Sequence, residues 1–279
     1  MEKTEGNGEQ NMKKKFYMVL FVVCLGIFLV SGWKLYEIYH TYQQGDLVYE
    51  KIADDVVVKL GTMPPSKVTD APEDVDEEEP EEEMISVDFD ALEKLNPDVI
   101  GWLYIPNSAI SYPLLRGADN DKYLHQTYDG NSSIFGSIFM DFRNAADLSD
   151  WHTIIYGHNM KNGSMFGTLK KYQEQSFFRT HRNIYILTKD ATYRYRVFSY
   201  HVADAAGRIY TTSFADRKEY ASFLDLITQS SYIDTKLAVG NKDKTITLST
   251  CTSQEENRFV VHARYMGEVA GNSQKKEKK

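Results

Sequence analysis

The chain has only two cysteines in 279 residues, Cys24 and Cys251. One lies in an apolar stretch and the other in a distant folded region, so they cannot staple one another. No disulfide framework supports this fold. A basic face is also missing. Lys and Arg number 32 against 40 Asp and Glu, a net charge of −8, which excludes an ordinary nucleic-acid binder. The seven histidines show no ligand spacing, so no metal site and no cofactor is expected.

What is present is apolar and aromatic. Hydrophobic residues make up 42% of the chain, with 19 Tyr and 14 Phe, enough for a sizeable core. The acidic excess is local: residues 73–83 alone hold nine Asp and Glu. Residues 1–11 are polar and expected to be disordered. Lys13, Lys14 and Lys15 then precede an 18-residue uncharged run over 16–33. That length suits a membrane span, and the basic flank puts the N-terminal side in the cytoplasm and the rest outside. A cleaved signal peptide is the rival, but no small-x-small site follows the run.

The expected organisation is therefore a cytoplasmic N-terminus (1–15), a signal anchor (16–33) and a juxtamembrane helical segment (34–62). An acidic, Pro-containing linker (63–87), a folded domain (88–268) and a basic tail (269–279) follow. Leu35, Ile38, Tyr39, Tyr42, Val48, Ile52, Val56 and Leu60 have helical spacing with a break near Gly45. The linker repels itself and cannot bury a core.

From Val99 the pattern changes to short strands: 101–105, 109–114, 136–140, 153–156, 184–188, 192–201, 244–250 and 258–266. Many short strands with turn signals predict a mostly β fold, a barrel or sandwich. Three helices are expected, over 89–95, over 165–171 and, with Ser213 as N-cap, over 213–229.

The chemistry concentrates at strand ends. Thr245-Ile246-Thr247-Leu248-Ser249-Thr250 alternates like a half-buried strand, and Cys251 sits where it runs out. Arg258 opens the next strand-like run. A thiol beside a cation can be a nucleophile with an oxyanion partner; the plainer reading is a buried thiol and a salt bridge. His158 follows the strand ending at Tyr156, in a glycine-flanked turn, where side chains reach a cleft. His40, His125, His152, His181 and His201 carry no local pattern, and His262 falls mid-strand.

Thr247-Leu248-Ser249-Thr250-Cys251, Tyr156-Gly157-His158 and Arg258, in the order His, Cys, Arg, resemble the sortases. Ile100-Gly101-Trp102-Leu103, the runs over 119–124 and 136–144, and Gly163-Ser164-Met165-Phe166-Gly167 resemble class B members in particular. The resemblance covers roughly 89–267. It implies a closed β-barrel of about eight strands, with an N-terminal helix and a long helix inserted before the cysteine strand.

It also implies a membrane-anchored cysteine transpeptidase acting outside the cell. Cys251 would attack the threonine carbonyl of a C-terminal sorting signal, Asn-Pro-x-Thr-like, on a secreted protein. Arg258 would stabilise the oxyanion and His158 would exchange the proton. A peptidoglycan amine would resolve the thioester. Asn120, Leu124, Tyr156 and Ser249 match positions lining the substrate groove, with Thr250 and Tyr210 as further contacts. Glu255 and Glu256 sit in the turn before Arg258; Arg264 is the rival arginine. A pilin-polymerising sortase and a non-enzymatic surface scaffold remain alternatives.

Overall fold

Eight strands close into a barrel in the order Asn257–Val269, Thr192–Asp204, Asn183–Leu187, Val99–Tyr104, Ser111–Leu115, Ile138–Met140, His152–Tyr156 and Thr245–Cys251, and the last pairs back onto the first. The computed structural model describes residues 5–63, 81–252, 254 and 256–269. In chain order the elements are α1 (Glu5–Val56), β1 (Val57–Met63), β2 (Glu82–Val87), α2 (Phe89–Leu95), β3 (Val99–Tyr104), β4 (Ser111–Leu115), α3 (Lys122–His125), β5 (Ile138–Met140), β6 (His152–Tyr156), α4 (Gln175–Thr180), β7 (Asn183–Leu187), β8 (Thr192–Asp204), α5 (Arg217–Gln229), β9 (Thr245–Cys251) and β10 (Asn257–Val269). Short 3₁₀ turns lie at Leu169–Gln173 and Arg208–Tyr210.

The chain divides into two units at residues 48 and 49. The first holds most of α1, which begins at Glu5 rather than after a disordered segment and runs unbroken through Gly45. It is long and apolar enough to cross a bilayer, and the side chains of its apolar run are exposed.

The second unit, from Tyr49, is the barrel and its attachments. Each of the eight expected barrel strands is present, with ends shifted by at most three residues. All neighbours are antiparallel except β4/β5 and β6/β9. The parallel β6/β9 pair needs a long crossover, which residues 157–244 supply. Trp102, Leu103, Ile138, Ile155, Ile186, Ile246 and Leu248 are fully buried.

Three further expectations are corrected. The segment 34–62 is not wholly helical: β-branched Val56, Val57 and Val58 turn the chain into β1 at Val57, which pairs with β2. The linker expected over 63–87 therefore ends early. Its last acids are accepted by the fold: the Glu82 carboxylate takes hydrogen bonds from Asn183 Nδ2 (2.9 Å) and the Tyr185 hydroxyl (2.5 Å). Residues 64–80, the tail from 270 and Glu255 lie outside the described residues.

The helix expected at 213 starts at Arg217. Asp216 caps it by accepting from the amides of Lys218 (2.9 Å) and Glu219 (2.8 Å), while Glu219 reaches back to the Ala215 amide (2.7 Å). Asp216 thus satisfies two of the helix's orphan amides, and Glu219 ties down the residue before the cap. Tyr220, Phe223, Leu224 and Ile227 bury the helix on Phe198 and Val260. The third correction concerns 165–171, where Met165 adopts positive φ and the helical turns come only at Leu169–Gln173 and α4.

Candidate active site

β6, β9 and β10 lie side by side and set the site by register alone. Tyr156 on β6 is the parallel partner of Ser249 on β9. His158 and Cys251 are each two residues beyond that pair, so both emerge from the same end of adjacent strands, whose spacing is about 4.8 Å. Arg258 on β10 is the antiparallel partner of Cys251. Cys251 is thus flanked by a histidine segment on one side and an arginine strand on the other.

Local packing fixes each of them. Gly157 precedes His158 where nothing larger fits: a Cβ there would lie 2.4 Å from Ile138 Cδ1 and 2.8 Å from the Phe166 ring. The Gly157 amide donates to Ser249 O (3.2 Å), and Thr250 Oγ1 donates to Gly157 O (2.7 Å). Asn159 Nδ2 donates to Cys251 O at 2.7 Å. The His158 loop and the Cys251 strand end are therefore tied at three points.

His158 is half-buried, and its Nε2 lies 2.7 Å from Leu124 O. A carbonyl can only accept, so Nε2 carries a proton and Nδ1 is the nitrogen left for exchange. Cys251 is exposed and makes no disulfide. Arg258 is partly buried, and its Nη1 donates to Asn257 O (2.9 Å). Arg264 lies six residues further along β10 in sequence, with Nε 3.3 Å from Asp243 and Nη1 2.7 Å from Ala238 O. Arg258, not Arg264, is the arginine in register with Cys251.

The residues expected to line a groove divide. Tyr156 and Tyr210 stack, with ring centroids 6.2 Å apart and planes at 17°. The Tyr210 hydroxyl lies 2.9 Å from Ser249 Oγ. The electrostatic surroundings of Tyr210 include both Arg258 and Cys251, and burial, the largest effect, raises its phenol pKa. Asn120 lies beside them, joined through Asp141 to Tyr156. Leu124 contributes its backbone oxygen to His158, and its side chain is half-buried. Thr250 is buried on the strand face opposite Ser249 and Cys251, with its hydroxyl on Gly157; it supports the loop from beneath.

Sequence reasoning assigned no role to Asp141, Arg143 or Asn159. Asp141 stands where the apolar strand β5 runs out, but nothing local to it in the sequence names its partners. Among the described residues no group of three or more His, Cys, Asp or Glu side chains is arranged to hold a metal ion.

Comparison with known proteins gives the family. The sequence pattern of the Sortase domain matches residues 103–266. The chain is 34% identical to Sortase B of Listeria monocytogenes over 249 residues, 88% of this chain and 94% of that protein. It is similar to a crystal structure of sortase B from Bacillus anthracis, with a TM-score of 0.67 and 31% identity, covering 82% of this chain and 99% of that one. A Staphylococcus aureus sortase B–substrate complex matches with a TM-score of 0.62 and 35% identity, covering 65% of this chain and 85% of that one. The chain belongs to the sortase family of cysteine transpeptidases, and these relatives are sortases of class B.

Proposed function

We propose that the protein is a membrane-anchored transpeptidase that cleaves an Asn-Pro-x-Thr-like sorting signal after threonine and joins the new carboxyl end to a peptidoglycan amine. The observation that carries the reading is the placement of an exposed Cys251 at a strand end, between the His158 loop and in register with Arg258.

In the first half-reaction the Cys251 thiolate adds to the threonine carbonyl carbon. The carbonyl electrons move to oxygen, where the Arg258 guanidinium offers a fixed fork of donors. The tetrahedral adduct collapses, the C–N bond breaks, and His158 Nδ1 gives the leaving amine the proton it took from the Cys251 thiol. A thioester to Cys251 remains. In the second half-reaction an incoming amine attacks that thioester, gives its proton to His158, and expels the thiolate. The product is a new amide, and enzyme and proton are both restored.

The anchor reading rests on the apolar N-terminal helix. Lys13, Lys14 and Lys15 before it favour a cytoplasmic N-terminus and an extracellular barrel.

The test is a panel of fluorogenic Asn-Pro-x-Thr and Leu-Pro-x-Thr-Gly peptides, incubated with the full chain in detergent micelles with and without an amine acceptor. Faster turnover of the Asn-Pro-x-Thr peptides, lost in Cys251→Ala, is the expected result. A folded protein that cleaves neither series contradicts the proposal. Cleavage only of Leu-Pro-x-Thr-Gly peptides would keep the transpeptidase and overturn the motif.

A further inference from the structure

One fully buried charge lies next to the proposed site and takes no part in the chemistry above. Asp141 follows β5, and its side chain has no solvent exposure. Its carboxylate accepts five hydrogen bonds. Oδ1 takes the Arg143 amide (3.0 Å) and Arg143 Nε (2.8 Å); Oδ2 takes Arg143 Nη2 (2.6 Å), the Tyr156 hydroxyl (2.8 Å) and Asn120 Nδ2 (3.1 Å). Burial would raise the pKa of this carboxyl, but the Arg143 and Tyr156 bonds outweigh it and hold it below the usual carboxylate range.

The partners come from separate parts of the chain. Asn120 precedes α3, Tyr156 ends β6, and Tyr210 lies before α5. Arg143 Nη2 also donates to Tyr210 O at 3.2 Å. Tyr210 in turn stacks on Tyr156 and reaches Ser249, two residues before Cys251. A fork on a carboxylate is geometrically specific as well as strong, so one ion pair fixes three walls at once.

The pair also fixes polarity. The Tyr156 hydroxyl spends its proton on Asp141, so towards a ligand it offers only lone pairs. Asn120 Oδ1 accepts from the Phe142 amide (3.0 Å) and one Nδ2 proton is spent on Asp141. Asn120 therefore turns its remaining N–H towards a ligand, while its Oδ1 is held by the Phe142 amide. An acceptor from Tyr156 beside a donor from Asn120 suits the alternating N–H and C=O of an extended peptide.

We infer that Asp141 and Arg143 are a positioning pair for peptide recognition: they hold Asn120, Tyr156 and Tyr210 in one arrangement and set which of their hydrogen-bonding groups face the substrate. The inference rests on the sorting-peptide reading above. The pair acts through those residues and touches neither Cys251 nor His158.

The experiment measures steady-state constants of the full chain in detergent micelles with an Asn-Pro-x-Thr peptide and an amine acceptor. The variants are Asp141→Asn, Arg143→Gln, the double variant, and Arg143→Lys. Each of the first two removes a charge-assisted pair, so KM should rise about tenfold with kcat within about threefold. The double variant should be no worse than either single one, because the two residues act as a unit. Arg143 has a side chain 44% exposed, so Arg143→Lys should fold and, lacking the fork, should still raise KM about threefold. The alkylation rate of Cys251 by iodoacetamide should stay at the wild-type value in all four.

An unchanged KM in folded variants overturns the inference. So does a parallel fall in kcat, alkylation rate and melting temperature, which marks a merely structural pair. Wild-type protein that cleaves no peptide overturns the sorting-peptide reading and this inference with it. Wild-type cleavage with variants of unchanged KM overturns the inference alone.

Discussion

Lowering the pH from 7 to 5 tests the histidines that the barrel keeps neutral. His152 is fully buried on β6. Its Nδ1 lies 2.8 Å from Thr211 O and its Nε2 2.6 Å from Thr247 Oγ1. Thr247 Oγ1 lies 2.7 Å from His262 Nδ1. The carbonyl can only accept, so the tautomers follow in a chain: His152 donates from Nδ1, Thr247 donates to His152 Nε2, and His262 donates from Nδ1 to Thr247. His262 Nε2 is then a bare lone pair, and it has no hydrogen-bond partner. His201 stacks on His262 with centroids 5.1 Å apart.

Burial lowers His152 to about 4, against a partial offset from the Thr211 bond; it lowers His201 to about 4 and His262 well below 6.5. In the unfolded chain each titrates near 6.5. The folded state therefore binds fewer protons, and the contribution is complete above pH 6.5 and lost as pH falls towards 4. For His152 alone the loss by pH 5 is about 1.36 × 1.5, or roughly 2 kcal/mol. Against a total of about 5–15 kcal/mol that is a large share. Urea unfolding of the full chain at pH 7, 6 and 5, followed by near-UV circular dichroism, should show a falling midpoint at constant slope. His152→Gln should be less stable at pH 7 but lose less between pH 7 and 5. Stability that is flat or rising as the pH falls from 7 to 5 would refute the reasoning.

Three further outcomes follow from single contacts. Arg258→Lys keeps the charge and loses the fork; kcat should fall about a hundredfold with little change in the unfolding midpoint, as kinetics and urea melts would show. Gly157→Ala forces a methyl into Ile138 and Phe166, so it should cost about 1–3 kcal/mol in urea unfolding and slow peptide cleavage by displacing His158. Tyr49, at the end of α1, donates its hydroxyl to Gly136 O and packs edge-on to Tyr112. Tyr49→Phe should cost about 1 kcal/mol in the same melt, with the fold retained.

The barrel strands were legible because each is a short alternating or apolar run bounded by turn residues, a local signal. β1 and β2 were not. Their pairing joins Val57 to Val87 across an acidic run that reads as a linker, and only contacts with Asn183 and Tyr185 make Glu82 welcome in a strand. The start of α5 was misplaced because Ser213 is a common capping residue, and the bonds that make Asp216 the cap are formed only in the folded turn. Around Cys251 the strand ends could be read from pattern, but that Cys251, His158 and Arg258 form one site was implied only by the resemblance to the sortases, and their register is set by barrel closure. The role of Asp141 could not be, since its partners Asn120 and Tyr156 lie 21 and 15 residues away and meet it only through barrel closure.

The central claim is that Cys251 carries the acyl group. The most direct measurement is intact-mass spectrometry of the full chain, quenched in acid after mixing with an Asn-Pro-x-Thr peptide without acceptor. The expected result is a mass increase equal to the peptide's N-terminal fragment less water, located on Cys251, absent in Cys251→Ala, and discharged as a ligated peptide when an amine is added. Turnover of the peptide by Cys251→Ala, or an acyl group on any other residue, would contradict the account.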